Sequence, residues 1–245
     1  MKSQMNCKNN INSEIKKLII IPAYNEAENI ENTIQNIQER APGFDYVIIN
    51  DCSTDDTKEI CERRGYNIVN LPINLGIGGA VQTGYQYALQ HDYDIAVQVD
   101  GDGQHDPAFL EKMYSVLTDR QLDMVIGSRF IDKEGFQSSV IRRFGIVYFT
   151  RLIQLLTRKK ITDPTSGLRM AGRKVIEQFA EDYPRDYPEP ESVVSIIRRG
   201  LKVEEIPVVM LERQGGISSI SPLKSVYYMI KVTLAIFIEM IRKEG

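Results

Sequence analysis

The amino-acid sequence predicts an α/β fold, a mostly parallel sheet flanked by helices. Two observations carry this. From Lys17 to Gly127, short runs that are apolar throughout alternate with longer segments whose apolar residues recur at helical spacing. A strand with no polar side is covered on both faces, and strand–helix alternation is the pattern of a parallel sheet. The second observation is that each apolar run gives way to carboxylates, amides, hydroxyls or glycines. In parallel sheets, ligands bind outside the carboxyl ends of the strands. Polar loops are also ordinary, so the rim matters as a set.

The elements follow in order. "KLIIIPA" is the first strand, ended by Pro22, and "EAENIENTIQNIQER" is a helix with Ile30, Ile34 and Ile37 on one face. "DYVIIND" is the second strand, and "TDDTKEICERRG" a helix ending at Gly65. "YNIVNL" and "GGAVQTGYQYALQH" are the third strand and helix. "YDIAVQVD" is the fourth strand, followed by a helix over "DPAFLEKMYSVLTD" with Pro107 at its start. "LDMVIGS" is the fifth strand. Beyond residue 130 the pattern changes. "SVIRRFGIVYFTRLIQLLTRKK" reads as a basic amphipathic helix and "DPTSGLRMAG" as a loop into a short strand. "YPEPESVVSIIRRG" reads as two prolines and then a helix, and "LKVEEIPVVMLE" as one strand or two joined at Pro207. "RQGGISSIS" is a polar segment, and "PLKSVYYMIKVTLAIFIEMIRKEG" a helix with a broad apolar face.

Composition narrows the function classes. The 245 residues, 42% hydrophobic and 26% charged, suffice for one large domain or two small ones. A net charge of -3 gives no global basic field for nucleic acid. Cys7, Cys52 and Cys61, with two histidines and no CxxC pair, make neither a disulfide framework nor a zinc site, and point to a reducing cytosol. The N-terminus lacks the apolar core of a signal peptide, and no stretch reaches about 18 apolar residues.

The chemistry concentrates in "VQVDGDGQHDP". Asp100 and Asp102 stand one residue apart at the end of an apolar run, with Gly101 and Gly103 to turn the backbone. Like charges that close repel, and a hard divalent cation such as Mg²⁺ or Mn²⁺ would offset the cost. The competing reading is a solvated acidic turn. His105 is read as orienting a neighbour rather than as a ligand. In "IPAYNEAEN", Tyr24 offers a flat face and Glu26 an acceptor for a nucleobase, while Asn25 and Glu28 also fit a capping box. In "NDCSTDDT", Ser53 or Thr54 with Asp56 reads as a helix cap, and Asp51 sits where a ribose or base donor could reach. "NLGIGGAVQTG" suggests a phosphate cradle at a helix start. It lacks the third glycine of the dinucleotide fingerprint (Val81 stands there) and the Walker lysine, which excludes the simple NAD and P-loop readings.

Six segments in order, "IPAYNEAENI", "NDCSTDDT", "NLGIGGAVQTGYQYA", "VQVDGDGQHDP", "IGSRF" and "DPTSGLRM", resemble a family 2 glycosyltransferase with the GT-A fold. Within that family the chain is most similar to polyprenyl-phosphate sugar synthases of the dolichol-phosphate mannose synthase type, from about Leu18 to Lys224. The resemblance implies a polar extension over 1–16, a catalytic domain over 17–221 and a C-terminal amphipathic helix over 222–245. The nucleotide-binding half would be 17–130 and the acceptor half 131–221.

It further implies roles. Pro22, Tyr24, Glu26 and Asp51 would hold the base and ribose of a nucleoside-diphosphate sugar, with Gly79 at the cradle. Asp100, Asp102 and Gln104 would bind Mg²⁺ or Mn²⁺ with the donor diphosphate. Arg129, Ser166 and Arg169 would line the acceptor side. Arg213, with Ser218 or Ser219, would fall on the loop that closes over the diphosphate, where a guanidinium matches phosphate oxygens. The implied reaction is a single inverting displacement. A polyprenyl phosphate acceptor needs no general base, whereas a sugar hydroxyl on a growing surface polysaccharide does. Glu189 and Glu191 in "YPEPES" are the candidates, Glu191 standing at the family's place. The prolines depart from the family pattern and leave open whether Glu191 positions the acceptor, acts as base or caps a helix. A non-catalytic nucleotide-sugar-binding regulator is the reading of another class. Asp100, Asp102 and Arg213 argue against it.

Many such synthases carry membrane spans after the catalytic domain. Here the basic helix from Ile141 to Lys160 and the C-terminal helix offer either an interfacial surface near lipid, at the inner face of the membrane, or packing against the domain or a second subunit. A small membrane protein as anchor and a homodimer are the partner hypotheses this raises.

Overall fold

The structure, a computed structural model, describes residues 14–132, 140–186, 188–211 and 222–242. Among these residues seven strands form one sheet: β1 (Lys17–Ala23), β2 (Asp45–Asn50), β3 (Ile68–Asn70), β4 (Ile95–Gln98), β5 (Met124–Ser128), β6 (Arg169–Gly172) and β7 (Val203–Pro207). Eight helices among the described residues flank it: α1 (Ile30–Arg40), α2 (Thr57–Arg64), α3 (Gly76–Gln90), α4 (Leu110–Asp119), α5 (Val140–Thr157), α6 (Arg173–Glu181), α7 (Pro188–Arg198) and α8 (Pro222–Ile241). A short 3-10 turn, Pro107–Phe109, leads into α4, and the Asp106 side chain accepts from the Ala108 N–H to start it.

The sheet order is β3-β2-β1-β4-β6-β5-β7. Only β6 runs antiparallel, to both β4 and β5. The expected mostly parallel sheet is therefore present, and the chain switches direction of growth between β1 and β4. That switch point is where an open α/β sheet leaves a crevice. β6 enters the sheet from the carboxyl rim of its neighbours, so the loop before it arrives on the same rim.

Strand β1 shows why the run "LIII" is apolar throughout. Leu18 and Ile20 pack into a core with α3, α5, α6, α7 and α8, while Ile19 and Ile21 pack into a second core with α1, α2 and α4. All four are fully buried. Helix α3 lies close on the sheet because Gly84 faces Ile20, whose Cγ2 would be 2.1 Å from an added Cβ. Gly65 ends α2 with φ +67, as its position predicted.

Three local expectations are corrected. Asn25 does not cap α1, which starts at Ile30; with φ 56, its Oδ1 accepts from the Thr54 N–H at 2.8 Å. Ser53 and Thr54 do not cap α2. Ser53 Oγ accepts from the Asn25 N–H, and Asp55 accepts from Thr57 N–H at 3.0 Å. These side chains stitch the loops after β1 and β2 together. Helix α7 includes both prolines instead of following them, because first-turn N–H groups have no helical partner to lose.

Candidate active site

The carboxyl ends of β1, β2, β4 and β5 and the entry to β6 converge on one rim. Asp100 is its centre. Its N–H donates to His105 Nδ1 at 3.0 Å, and its Oδ1 accepts from Gln98 Nε2 at 3.0 Å. With Nδ1 accepting, a neutral His105 carries its proton on Nε2, which lies 3.8 Å from Asp100 Oδ2. The buried His105 thus orients Asp100, as read from the sequence. The Asp100 side chain keeps 38% exposure on its open side.

Gly167 closes the other side. A Cβ there would lie 3.0 Å from Asp100 Oδ2 and 3.2 Å from Oδ1. The "DPTSG" loop and the Asp100 carboxylate therefore fit against each other. Gly103, with φ +74, makes the turn after Asp102, and Asp102 Oδ1 accepts from the Gln104 N–H. Thr33 on α1 donates to the Gly101 carbonyl and fixes the turn from below. Gln104 is tied to the chain after β7, where its carbonyl accepts from the Leu211 N–H at 2.9 Å. Arg213, two residues further on, and Ser218 and Ser219 lie outside the described residues.

Asp51 is buried at the end of β2. Its Oδ1 accepts from Leu75 N–H at 2.6 Å and its Oδ2 from Gly76 N–H at 2.9 Å. The expected phosphate cradle changes meaning here. The anion at the start of α3 is the protein's own carboxylate. Gly78 is a packing residue, since a Cβ would meet the Pro184 and Arg185 carbonyl oxygens at 2.2 and 2.3 Å. At Gly79 a Cβ would meet Leu75 Cβ at 2.4 Å. Tyr24 is half exposed on the same rim; Pro22 does not end β1 as expected, since the strand runs on to Ala23, and the Pro22 carbonyl lies against Gly101. Glu26 is partly buried, and its Oε2 accepts from Asn29 Nδ2.

The acceptor-side candidates form a buried brace. Arg129, at the end of β5, donates to Asp163 through Nε at 2.6 Å and Nη2 at 2.7 Å. Burial works against the Arg129 charge, but Asp163 outweighs it and the guanidinium is held above its usual range. Ser166 Oγ donates to the Gly127 carbonyl at 2.6 Å. Arg169 is fully buried and holds the loop from inside, donating to the Ser166 and Pro164 carbonyls and to Ser192 Oγ. Two braces escaped the sequence reading. Asp163 is one. The other is Glu205 on β7, whose carboxylate accepts from the Thr162 and Asp163 N–H groups at 2.6 and 2.8 Å. Burial raises the Glu205 carboxyl despite those bonds. The partly polar strand "VEEIP" was the one available signal for it.

The two glutamates of α7 point different ways. The charges of Asp100 and Glu189 both act on Arg129, which puts Glu189 within electrostatic reach of that guanidinium. Glu191, two residues on and so on the far side of the helix, faces α8. Burial, then Glu239 and Asp182, push its carboxyl up to about 7, against the pull of Arg242. The structure does not bring Glu191 together with Asp100.

Among the described residues no group of three or more His, Cys, Asp or Glu could hold a metal ion alone. The pair Asp100 and Asp102 nevertheless fits a hard divalent cation. It offers carboxylate oxygens on a half-open side, and Mg²⁺-type sites are commonly completed by substrate phosphate and water.

Comparison with known proteins agrees with this architecture. Residues 18–179 match the model of "Glycosyl transferase family 2". An uncharacterized protein of Methanocaldococcus jannaschii is 32% identical over 212 residues, covering 85% of this chain and 86% of that one. The undecaprenyl-phosphate mannosyltransferase of Micrococcus luteus is 26% identical over 216 residues, covering 84% and 88%. Among solved structures, glucosyl-3-phosphoglycerate synthase from Mycobacterium tuberculosis, in complex with Mn²⁺, UDP-glucose and phosphoglyceric acid, superposes with a TM-score of 0.72. It is 18% identical and covers 95% of this chain and 82% of its own, a likeness of fold.

Proposed function

The chain belongs to glycosyl transferase family 2, and from that premise we propose that it moves a sugar from a nucleoside diphosphate to a polyprenyl phosphate. The observation that carries the proposal is Asp100, held at the switch point of the sheet by Gln98, His105 and the flank of Gly167, with one side left open. The similarity to an undecaprenyl-phosphate mannosyltransferase over most of both chains supports the choice of acceptor.

Asp100, Asp102 and Gln104 would hold Mg²⁺ or Mn²⁺, which supplies positive charge to the donor diphosphate. Tyr24 would stack on the base, with Pro22, Glu26 and Gly79 around it. Asp51 keeps lone pairs beyond its two backbone bonds and can accept from a base or ribose donor. Arg213 would neutralise charge developing on the departing diphosphate.

The reaction is one inverting displacement. An oxygen of the acceptor phosphate forms the new bond to the anomeric carbon as the bond to the diphosphate breaks, and the electron pair leaves with the nucleoside diphosphate. The attacking phosphate is already an anion, so no side chain need remove a proton. This agrees with Glu191 facing α8. Glu189, whose charge acts on Arg129, is the carboxylate that would steer the acceptor. Arg129, Ser166 and Arg169 would set the wall of the acceptor side from within the protein. Such an enzyme works peripherally, at the cytosolic face of the membrane that holds its acceptor.

The test is product formation from UDP- and GDP-sugars with Mn²⁺ and detergent-dispersed undecaprenyl phosphate. An acid-labile, charged lipid product establishes the reading and names the donor. Metal-dependent donor binding with transfer only to a sugar hydroxyl would overturn it and make Glu189 the base to examine.

A further inference from the structure

Two adjacent helices present outward faces that no other described residues cover. On α8, Tyr227, Ile230, Leu234, Phe237 and Ile241 recur at spacings of three and four, and all are exposed, Ile241 at 79%. Val232 and Ile236 on the opposite side are buried in the protein core. On α5, Phe144 and Leu155 are 70% and 79% exposed, with Val147 between them. The two helices pack on each other through Phe149 against Tyr228 and through Tyr148 Oη with Thr233 Oγ1.

Charge decides what covers these faces. From Val140 to Lys160 the chain carries six Lys or Arg and no Asp or Glu, in a molecule of net charge -3. Helical periodicity puts Arg143 and Arg151 on the same face as Phe144, Val147 and Leu155. Arg143, Arg151, Arg158, Lys159 and Lys160 make no ion pair among the described residues. Three carboxylates near α8 are already paired, Asp186 with Lys231, Asp182 with Arg242 and Glu239 with Arg198, and Glu191 is turned inward against α8 and half-buried.

We propose that the outward faces of α5 and α8 seat the protein on an anionic lipid bilayer. The proposal rests on the lipid-phosphate reading, which requires a bilayer within reach of the rim. Apolar side chains enter the headgroup boundary while the arginines meet lipid phosphates, the division of labour of an interfacial helix. A second copy of the chain fits less well. A two-fold contact sets a patch against itself, and this patch would bring uncompensated cations together with no unpaired acidic side chain on either exposed face among the described residues. No described helix is long and apolar enough to cross a membrane. Helix α7, which carries Glu189, packs against both α5 and α8, so the bilayer lies one helix away from the acceptor side.

The test is co-sedimentation of the full chain with vesicles of phosphatidylcholine, with or without phosphatidylglycerol. The expected result is binding roughly tenfold or more tighter to the anionic vesicles, weakening as salt rises. The double variant Arg143→Gln/Arg151→Gln loses roughly tenfold or more of that binding. It keeps its melting temperature and its transfer to detergent-dispersed acceptor. Equal binding to neutral and anionic vesicles would overturn the proposal. So would absent vesicle binding together with a dimer in sedimentation velocity that Leu234→Glu dissociates. If the chain binds anionic vesicles yet transfers no sugar to polyprenyl phosphate in detergent, the docking stands and the acceptor reading falls.

Discussion

Gly167 has no side chain because the Asp100 carboxylate occupies the space. A methyl group there pushes the carboxylate toward Gln98 and His105, both of which are buried and cannot retreat. Gly167→Ala should raise the Mn²⁺ concentration needed for donor binding by roughly tenfold, a cost of about 1.4 kcal/mol. Calorimetric titration of the nucleoside diphosphate at several metal concentrations checks this, and an unchanged metal dependence would remove the loop from the account. Glu205 acts at longer range. Its carboxylate takes two N–H groups of the loop that carries Asp163, and Asp163 grips Arg129. Glu205→Gln leaves one of those N–H groups facing an amide N–H. It should destabilise the fold by about 1–3 kcal/mol, read by urea unfolding.

At the scale of elements, helices are placed by what their glycines permit. Gly78→Ala sets a Cβ against two backbone carbonyls that cannot move independently of the chain. A destabilisation of about 3 kcal/mol is expected. Gly65→Ala meets nothing within 4 Å and pays only for its φ of +67, about 1 kcal/mol. Thermal melts of the pair separate crowding from backbone strain. The same segment shows where sequence reading runs out. "NLGIGGAVQTG" has the spacing of an anion cradle, but its Leu75 and Gly76 N–H groups serve Asp51, and Gly78 and Gly84 are spent on packing. Local spacing cannot distinguish a phosphate from a carboxylate supplied by another strand. Asn25 misled in the same way, its partner Thr54 being 29 residues distant. The phase of α7 was hidden too. Starting the helix at Pro188 rather than after the prolines puts Glu189 and Glu191 on opposite faces, Glu191 toward α8.

The junction of α7 with α8 sets a pH dependence. Glu191 is raised from its ordinary 4.5 to about 7, first by burial and then by Glu239 and Asp182. The folded state therefore holds a proton that the unfolded state gives up earlier. Stability from this group is fully present below about 4.5 and is lost as pH rises through about 7. Glu191→Gln removes the loss. It should stabilise the protein by about 1 kcal/mol at alkaline pH, allowing for solvent screening at a half-buried site, and hardly at all near pH 4.5. Denaturant titrations at the two pH values check the sign, and an equal effect at both would refute it.

At the scale of the whole molecule, topology gathers the site. β1, β2, β4 and β5 deliver Tyr24, Asp51, Asp100 and Arg129 to one rim because they run in the same direction. The reversed β6 brings Gly167 back to that rim. The parallel part was legible as apolar runs followed by polar residues, since strands buried on both faces leave that signature. The reversal of β6 was not legible, because strand direction is set by pairing with distant partners. Asp163 and Glu205 were passed over for a related reason. Each serves other protein groups from within, and only the partly polar strand around Glu205 hints at it.

The central claim is that Asp100 and Asp102 hold the cation through which the donor diphosphate is bound for transfer to a lipid phosphate. Its most direct test is the initial rate of lipid-linked sugar formation as Mn²⁺ is titrated, for the native chain and for Asp102→Asn. Saturable activation by metal is expected in the native chain. Asp102→Asn should lose turnover, on the order of 10²-fold or more, with an unchanged melting temperature. Transfer that is indifferent to metal, or an Asp102→Asn variant that turns over at the native rate, would contradict it.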